Sequence, residues 1–158
     1  MLRPGRSEDL NDLIRIRREP EVARRWGEVD EHAMEEEFVA VDEVFILELA
    51  GEVIGAIQYV EENEPMYRHA GMDIFLTTSL HGQGLGTDAI RTLARYLFDE
   101  RGHHRLTIDP AFDNEAAIRA YERVGFQRVG VLRRYERGPD GAWHDGLLMD
   151  MLKEDFQA

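Results

Sequence analysis

Residues 81–90, HGQGLGTDAI, are the stretch whose residue types point most directly to chemistry. Glycines stand at positions 82, 84 and 86, directly before a segment with helical periodicity. The first backbone N–H groups of a helix have no intrahelical acceptor, and the helix dipole favours an anion there. Because glycine has no Cβ, a phosphate group can approach those amides closely. The stretch therefore predicts a phosphate-binding loop, with a plain tight turn as the alternative.

The loop differs from the two best-known nucleotide-binding patterns. A dinucleotide fingerprint needs a third glycine at a later offset within a βαβ unit, whereas the sequence before residue 81 predicts a β-meander. A Walker loop ends in a lysine, and no lysine follows here. The loop is therefore predicted to hold the pyrophosphate of another kind of cofactor.

Composition limits the other possibilities. A chain of 158 residues fits one domain, so we expect a single domain over residues 1–158. The absence of cysteine excludes disulfides, thiolate metal ligands and a cysteine nucleophile, and the six histidines show no metal-binding spacing, so no metal is predicted. The longest apolar stretch, VFILELA, is too short to span a bilayer, and the start has no apolar leader. These features predict a cytoplasmic protein without membrane attachment.

Charge is distributed unevenly along the chain. The net charge of -13 argues against a nucleic-acid partner, because phosphate backbones are bound by Lys and Arg. Residues 27–67 contain thirteen Asp and Glu and no Lys or Arg, whereas residues 101–137 contain eight arginines and five acids. The acidic segment is either a solvated face or the source of a negative field around a cationic substrate.

The hydrophobic patterns predict an α/β fold with layered α and β elements, in the order β, α, α, β, β, β, α, β, α, β, β. Ser7 and Asp30 are the expected N-caps of the first two helices. The glycine loop leads into a helix over residues 84–100, and a later helix is expected from Asp113 through Glu122. The loop therefore lies between the third predicted strand of a meander and the third helix.

The chain resembles the GNAT superfamily of N-acetyltransferases in four successive segments. These are the third strand of the meander, HGQGLGTDAI, the next strand and DNEAAIRAYERVGF. The resemblance implies the GNAT fold: a mixed, mostly antiparallel sheet of about seven strands, flanked by about four helices and splayed between the fourth and fifth strands. It implies that the loop binds the pyrophosphate of acetyl-CoA, and that Asn114 and Tyr121 contact the pantetheine and sulfur. His81 stands where the family has Arg or Gln. The cofactor-binding residues implied by position are Phe75, Leu76, Thr77, His81, Gly82, Gln83, Gly84, Leu85, Gly86, Thr87, Asn114 and Tyr121.

A narrower resemblance is to the aminoglycoside 6'-N-acetyltransferases. VARRWG, GMDIFL, TIDPAFDN and IRAYERVGF are similar, in this order, to four segments of that group. The resemblance implies that Trp26, Asp73 and Asp109 line the substrate pocket. Asp73, Asp109 and Tyr121 are the predicted catalytic residues, for the chemical reasons given next. Ile74 replaces the Gln that follows the first aspartate in that group, and the central loops are shorter here, which leaves the substrate range open.

Acetyl transfer to an amine requires a neutral amine, a polarised carbonyl and a stabilised thiolate. The pKa of a substrate ammonium, about 10, exceeds that of Asp by about six units, so Asp73 or Asp109 is expected to bind the ammonium and take its proton late or through water. Neighbouring carboxylates raise each other's proton affinity, which narrows this gap. Backbone N–H groups after Asp73 can donate to the carbonyl oxygen, and Tyr121 can pass a proton to the departing sulfur.

Each of these residues also has a purely structural interpretation. Asp73 could be the outward residue of an amphipathic strand, and Asp109 could serve only a turn. Asn114 could cap a helix, and Tyr121 could belong to the core. Trp26 could be a packing residue or a platform for a sugar or cation.

The leading hypothesis is an acetyl-CoA-dependent N-acetyltransferase of the aminoglycoside 6' type, a resistance function. A GNAT enzyme acting on a protein N-terminus, a polyamine or a siderophore amine is the nearest alternative, and a non-catalytic acyl-CoA-binding domain is a more distant one. The predicted partners are acetyl-CoA and a cationic amine. The sequence leaves a monomer and a homodimer open.

Overall fold

The computed structural model describes residues 1–158, which fold around a seven-stranded sheet. The strands are β1 (Leu2–Pro4), β2 (Val44–Leu49), β3 (Glu52–Glu62), β4 (His69–Leu76), β5 (Arg105–Ile108), β6 (Gln127–Arg137) and β7 (Trp143–Leu152). Their order across the sheet is β1-β2-β3-β4-β5-β7-β6. Every neighbouring pair is antiparallel except β4 and β5, which are parallel. The sheet is therefore mixed and mostly antiparallel, as predicted.

Five α-helices flank the sheet, one more than the approximate number predicted. They are α1 (Leu10–Arg17), α2 (Pro20–Trp26), α3 (Glu31–Phe38), α4 (Leu85–Asp99) and α5 (Glu115–Val124). The additional helix, α2, has only seven residues, too few for a clear apolar periodicity. It begins at a proline, whose fixed φ and missing N–H suit the first turn of a helix. None of the helices is both long and apolar enough to cross a membrane.

The helix starts confirm one predicted cap and correct two. The Asp30 carboxylate accepts hydrogen bonds from the backbone N–H groups of His32 and Ala33, as expected of an N-cap. Ser7 begins a 3-10 turn, and α1 starts only at Leu10. The cap of α5 is Asn114 and not Asp113, whose carboxylate is instead 2.6 Å from Arg25.

The sheet opens in its middle, between β4 and β5. The two strands pair only at Ala70 with Leu106 and at Gly71 with Thr107. Beyond this point β4 continues to Leu76, paired with β3 on its other edge. The C-terminal half of β4 therefore has one unpaired edge, and the predicted splay between the fourth and fifth strands is confirmed.

Two apolar clusters hold this opening in place. The larger one joins the sheet to α4 and α5 and includes Ile90, Leu97 and Ile118. The smaller one joins α1 and α3 to β2 and includes Leu13 and Phe38, both almost fully buried. Because interiors packed in this way resist deformation, the strand ends at the opening are rigid supports for side chains.

Candidate active site

A cleft of about 540 Å³ occupies the opening between β4 and β5. Its walls are the end of β4, the glycine loop with the start of α4, one face of α5, part of α2, and β6. The cleft brings together all the predicted site residues except Thr77 and Gln83: Trp26, Asp73, Phe75, Leu76, His81, Gly82, Gly84, Leu85, Gly86, Thr87, Asp109, Asn114 and Tyr121.

Thr77 and Gln83 lie outside the lining of the cleft. The Thr77 hydroxyl donates to a carboxylate oxygen of Glu19 at 2.7 Å, and the Thr78 N–H donates to the other oxygen at 2.7 Å. Glu19 precedes α2, so these bonds fasten α2 to the end of β4. Gln83 is exposed, with its side-chain amide 3.4 Å from the Ser79 carbonyl. Their cofactor contacts, implied by the resemblance, stay predictions.

The glycine loop has the backbone that its sequence predicts. Gly82 and Gly84 have φ values of 78° and 81°, in the left-handed region that favours glycine. Gly84 is the N-cap of α4, and Gly86 lies in its first turn, where an added Cβ would meet no protein atom within 4 Å. The first turn of α4 therefore borders open space in the cleft, and a helix N-terminus suits an anion.

His81 has a structural contact that the sequence did not reveal. Its Nε2 lies 2.8 Å from the carbonyl oxygen of Leu76, the last residue of β4. The imidazole thus ties the glycine loop back to the end of the strand. Because Nε2 is engaged in this way, only the other ring nitrogen of His81 is free to contact a phosphate.

Asp73 lies on β4 and Asp109 directly after β5, at the place where the two strands diverge. The Asp73 carboxylate is open to the cleft, although protein surrounds it on most other sides. This burial, together with the negative charge of Asp109, raises the pKa of Asp73 to about 7. Asp109 follows β5 and accepts a hydrogen bond of 2.6 Å from the Tyr135 hydroxyl. The two carboxylates are therefore an interacting pair and not independent surface groups.

Glu136 and Tyr135, on β6, are site residues that the sequence analysis missed. Glu136 lines the cleft, and partial burial and the charge of Asp109 raise its pKa. The hydrogen bond to Asp109 raises the pKa of Tyr135 to about 12, so its hydroxyl remains a donor. The pairing of β6 with β7 slips between Leu132 and Glu136, and Arg134 has a positive φ of 46°. Such an irregularity changes the face of the strand on which the following side chains lie. The alternation of apolar and polar residues along the sequence does not reveal it.

Arg17 is a further residue that the sequence analysis missed. Only 6% of it is exposed, and its guanidinium lies 5.1 Å from the Trp26 ring centre and 5.8 Å from that of Phe75. Its Nη2 donates to the Trp26 carbonyl oxygen at 3.2 Å, while burial lowers its pKa. A cation over aromatic faces is attracted by their negative π-systems. Arg17 therefore holds Trp26 in a fixed orientation from behind.

Trp26 packs within the protein and also lines the cleft. One side packs edge-on against Phe75, with ring centres 5.1 Å apart, and the side chain also lines the cleft. Packing and exposure to the cleft are compatible because the ring is only partly buried. An aromatic face beside carboxylates is a suitable surface for a sugar or an ammonium group.

Tyr121, on α5, and Asn114, the N-cap of α5, line the same cleft as the glycine loop. The Tyr121 ring packs against Phe126, and its hydroxyl makes no hydrogen bond within the protein. Burial, reinforced by the charges of Asp73 and Asp109, raises the pKa of Tyr121 above its usual value, so the phenol is protonated at neutral pH. The Asn114 side-chain oxygen accepts from the Ala117 N–H at 3.3 Å, which leaves its amide donors for a ligand.

The structure shows no cluster of three or more His, Cys, Asp or Glu side chains that could hold a metal ion. His144, next to Trp143 and Asp145, is exposed in the closing hairpin and lies 3.0 Å from Asp140. It does not line the cleft itself, although it pairs with the cleft residue Glu136 across β6 and β7.

Comparison with known proteins identifies the family. Residues 1–127 match the family model described as an acetyltransferase (GNAT) domain. The chain therefore belongs to the GNAT family of acetyltransferases, which confirms the predicted fold and the predicted class of enzyme.

Individual relatives differ in the amine that their names specify. The spermidine N(1)-acetyltransferase of Escherichia coli (strain K12) is 27% identical over 165 residues, covering 99% of this chain and 88% of that protein. The aminoglycoside N(6')-acetyltransferase type 1 of Klebsiella pneumoniae is 37% identical over 109 residues, covering 61% of this chain and 51% of that protein. The two relatives together support N-acetyl transfer without distinguishing the acceptor.

Solved structures of AAC(6')-Ib superpose with a TM-score of 0.78 at 27% sequence identity, over 98% of this chain and 94% or 95% of theirs. One contains acetyl-CoA and another contains coenzyme A and kanamycin. The cofactor of these neighbours agrees with the acetyl-CoA predicted for this chain.

Proposed function

We propose that this protein transfers the acetyl group of acetyl-CoA to a primary amine of a polycationic small molecule, with the 6'-amine of an aminoglycoside as the leading acceptor. The observation that carries the proposal is the set of three carboxylates, Asp73, Asp109 and Glu136, in the same cleft as an anion-binding glycine loop. One end of the cleft suits phosphates, and the other suits ammonium groups. Trp26 adds an aromatic wall for a sugar ring.

The raised pKa of Asp73 makes proton transfer easier than the sequence alone implied. An ordinary Asp is about six units less basic than an amine of pKa about 10. With the pKa of Asp73 at about 7, the difference between its pKa and that of the ammonium is roughly halved. In the proposed reaction Asp73 accepts one proton from the ammonium, directly or through water, and the neutral nitrogen attacks the thioester carbonyl.

The remaining steps involve β4 and Tyr121. Negative charge that develops on the carbonyl oxygen can be stabilised by backbone N–H groups on the unpaired edge of β4 beyond Asp73. As the new C–N bond forms and the C–S bond breaks, the Tyr121 phenol donates its proton to the departing thiolate. Its free hydroxyl and its raised pKa keep this proton available until the sulfur leaves. The second proton of the attacking nitrogen then passes through water to the Tyr121 phenolate, which leaves a neutral amide and restores the phenol.

Replacing Gly86 by Asp is expected to weaken acetyl-CoA binding without unfolding the protein. A Cβ at this position meets no protein atom within 4 Å, and a carboxylate in the first turn of a helix is favourable. The new carboxylate would compete with a phosphate for the amides of α4 and repel it. Calorimetry should show a roughly tenfold higher Kd, equivalent to about 1.4 kcal/mol, and thermal unfolding should show a Tm close to that of the wild type.

Gly130→Asp is the matched control, because Gly130 is exposed, has room for a Cβ and lies outside the cleft. This control should bind acetyl-CoA like the wild type. Unchanged affinity in Gly86→Asp would contradict the assignment of this loop to the pyrophosphate.

Glu136→Gln is expected to raise the KM for a polycationic amine about fivefold with a small effect on kcat. A partly exposed ion pair contributes about 1 kcal/mol, and Glu136 is not in the proposed proton path. Steady-state kinetics with a polyamine and with a monoamine should separate this effect. The KM for the monoamine should stay unchanged, because one ammonium can still be held by Asp73 and Asp109. An equal rise in both KM values would exclude a role for Glu136 in binding a second ammonium.

A polyamine is the second candidate acceptor. The relative that matches nearly the whole chain is named for spermidine, and three carboxylates in one cleft also suit a linear chain of ammonium groups. A purely acyl-CoA-binding role is disfavoured, since a binder of the cofactor needs neither the carboxylates nor the free Tyr121 hydroxyl.

The functional test is release of the coenzyme A thiol from acetyl-CoA in the presence of a panel of amines. Kanamycin, spermidine and a peptide with a free N-terminus represent the three acceptor classes. Fastest turnover with kanamycin supports the leading proposal, and fastest turnover with spermidine supports the second. Binding of acetyl-CoA without turnover of any amine would overturn both.

A further inference from the structure

Two arginines on α5, Arg119 and Arg123, line the same cleft as the glycine loop. They are four residues apart and therefore lie on one side of the helix, one turn from each other. α5 packs against α4, the helix that follows the loop. Both side chains are exposed. Two cationic groups thus stand at the rim of a site whose backbone favours anions.

These arginines are the cations of the cleft that remain free for a ligand. The loop itself, residues 81–87, contains no Lys or Arg, and His81 is bound to the Leu76 carbonyl oxygen. The other arginine in the lining, Arg25, lies 2.6 Å from Asp113.

The arginines on α5 have weaker protein partners. Arg119 has only a long contact, 4.0 Å, with Glu115, and Arg123 forms no salt bridge. Other arginines of the chain also lack a salt bridge, but these two line the cleft that the phosphate loop also lines, so their donors are available to an anion bound there.

The cofactor supplies an anion of matching chemistry. Coenzyme A has a pyrophosphate in its chain and a separate phosphate monoester on the ribose 3' oxygen. The amides of α4 suit the pyrophosphate, while a phosphate monoester, with a second pKa of about 6, is close to doubly charged at neutral pH. Arg binds such a group through paired N–H donors.

We propose that Arg119 and Arg123 form the subsite for the 3'-phosphate of coenzyme A, and supply the cationic contact that the glycine loop lacks. The inference rests on the cofactor part of the proposed function and is independent of the acceptor amine. It assigns this chain a preference for the 3'-phosphorylated cofactor over its dephosphorylated form.

The test is calorimetry with coenzyme A and with 3'-dephospho-coenzyme A, without any acceptor. The wild type should bind coenzyme A roughly tenfold more tightly, since two partly exposed charge pairs are involved. In the double variant Arg119→Ala with Arg123→Ala this preference should disappear. The affinity for the dephospho form should change less than twofold. Arg128→Ala, which removes an exposed arginine that contacts α5 through Glu122 but lies outside the cleft, should keep the wild-type preference.

Three results would overturn the inference. The wild type could bind both ligands equally, the double variant could keep the preference, or the variant could lose affinity for both ligands to the same extent. Failure of the wild type to bind either ligand would overturn the cofactor assignment as well, which separates the two claims. If the double variant does not fold, the wild type is titrated with salt. The affinity for coenzyme A should then fall more steeply than that for the dephospho form, and equal slopes would contradict the subsite.

Discussion

Asp73→Asn is expected to lower kcat by about 10²–10⁴-fold while leaving the Kd of acetyl-CoA unchanged. The amide has nearly the shape of the carboxylate but cannot accept the ammonium proton. Asp73 lies at the acceptor side of the cleft and not in the glycine loop, so cofactor binding should not depend on its charge. Steady-state kinetics with the preferred amine, combined with calorimetry for acetyl-CoA, measures the two quantities separately.

The same variant is expected to be more stable than the wild type at alkaline pH. The pKa of Asp73 is raised in the folded state to about 7, above the value of about 4 in an unfolded chain. Between these two values the folded state binds more protons than the unfolded state, so the free energy of unfolding falls as the pH rises. Asn cannot ionise, so the variant should have the higher Tm at pH 8, and the difference should vanish near pH 4.

The activity of the wild type should follow the same ionisation. Its kcat/KM is expected to rise with pH and to level off above about 7, because the carboxylate form of Asp73 is the active one. The charged groups that face Asp73, and therefore affect the pH at which its carboxyl group ionises, are Asp109, Glu136 and Arg17.

The control for Asp73→Asn is Asp42→Asn, which removes an exposed acid outside the cleft and should leave kcat unaltered. Wild-type rates in Asp73→Asn would remove Asp73 from the mechanism.

Tyr121→Phe is expected to lower kcat by about 10²-fold, the lower end of the range for loss of a positioned general acid. The Phe ring can keep the contact with Phe126, and the missing hydroxyl has no hydrogen bond within the protein to lose. The Tm should therefore remain within a few degrees of that of the wild type. Initial rates at saturating acetyl-CoA and amine, with thermal unfolding in parallel, give both numbers.

Tyr67→Phe is the control for this substitution, since Tyr67 is 73% exposed and does not line the cleft. It should retain the wild-type kcat. A Tyr121→Phe variant that is equally active would mean that the thiolate leaves without protonation by this phenol. A variant that loses stability would instead show that Tyr121 acts mainly in the core.

Much of the fold could be predicted because its signals are local. Three glycines before an apolar helical pattern specify the loop and the start of α4, and alternating strands around a two-residue turn specify β2 and β3. The helix α2 escaped prediction because seven residues contain less than two full turns of pattern. The cap of α5 was misplaced by one residue, since Asp and Asn are equally good caps and the sequence offers both.

The candidate site could be predicted in part, where it depends on consecutive residues. Asp73, Asp109 and Tyr121 meet in one cleft because β4, β5 and α5 bring together positions that the motifs had already marked. Glu136 comes into the cleft through an irregular strand, and Arg17 reaches Trp26 from another helix. Such contacts depend on tertiary packing, which leaves no periodic signal in the sequence.

The most direct test of the central claim is acetylation of kanamycin by the purified protein with acetyl-CoA, followed by mass spectrometry and NMR of the product. A matched aminoglycoside with a hydroxyl group in place of the 6'-amine is the control. The account predicts thiol release with kanamycin, one acetyl group on its 6'-nitrogen, and no turnover of the control. Equal turnover of both compounds, or none with kanamycin although acetyl-CoA binds, would contradict the proposed acceptor.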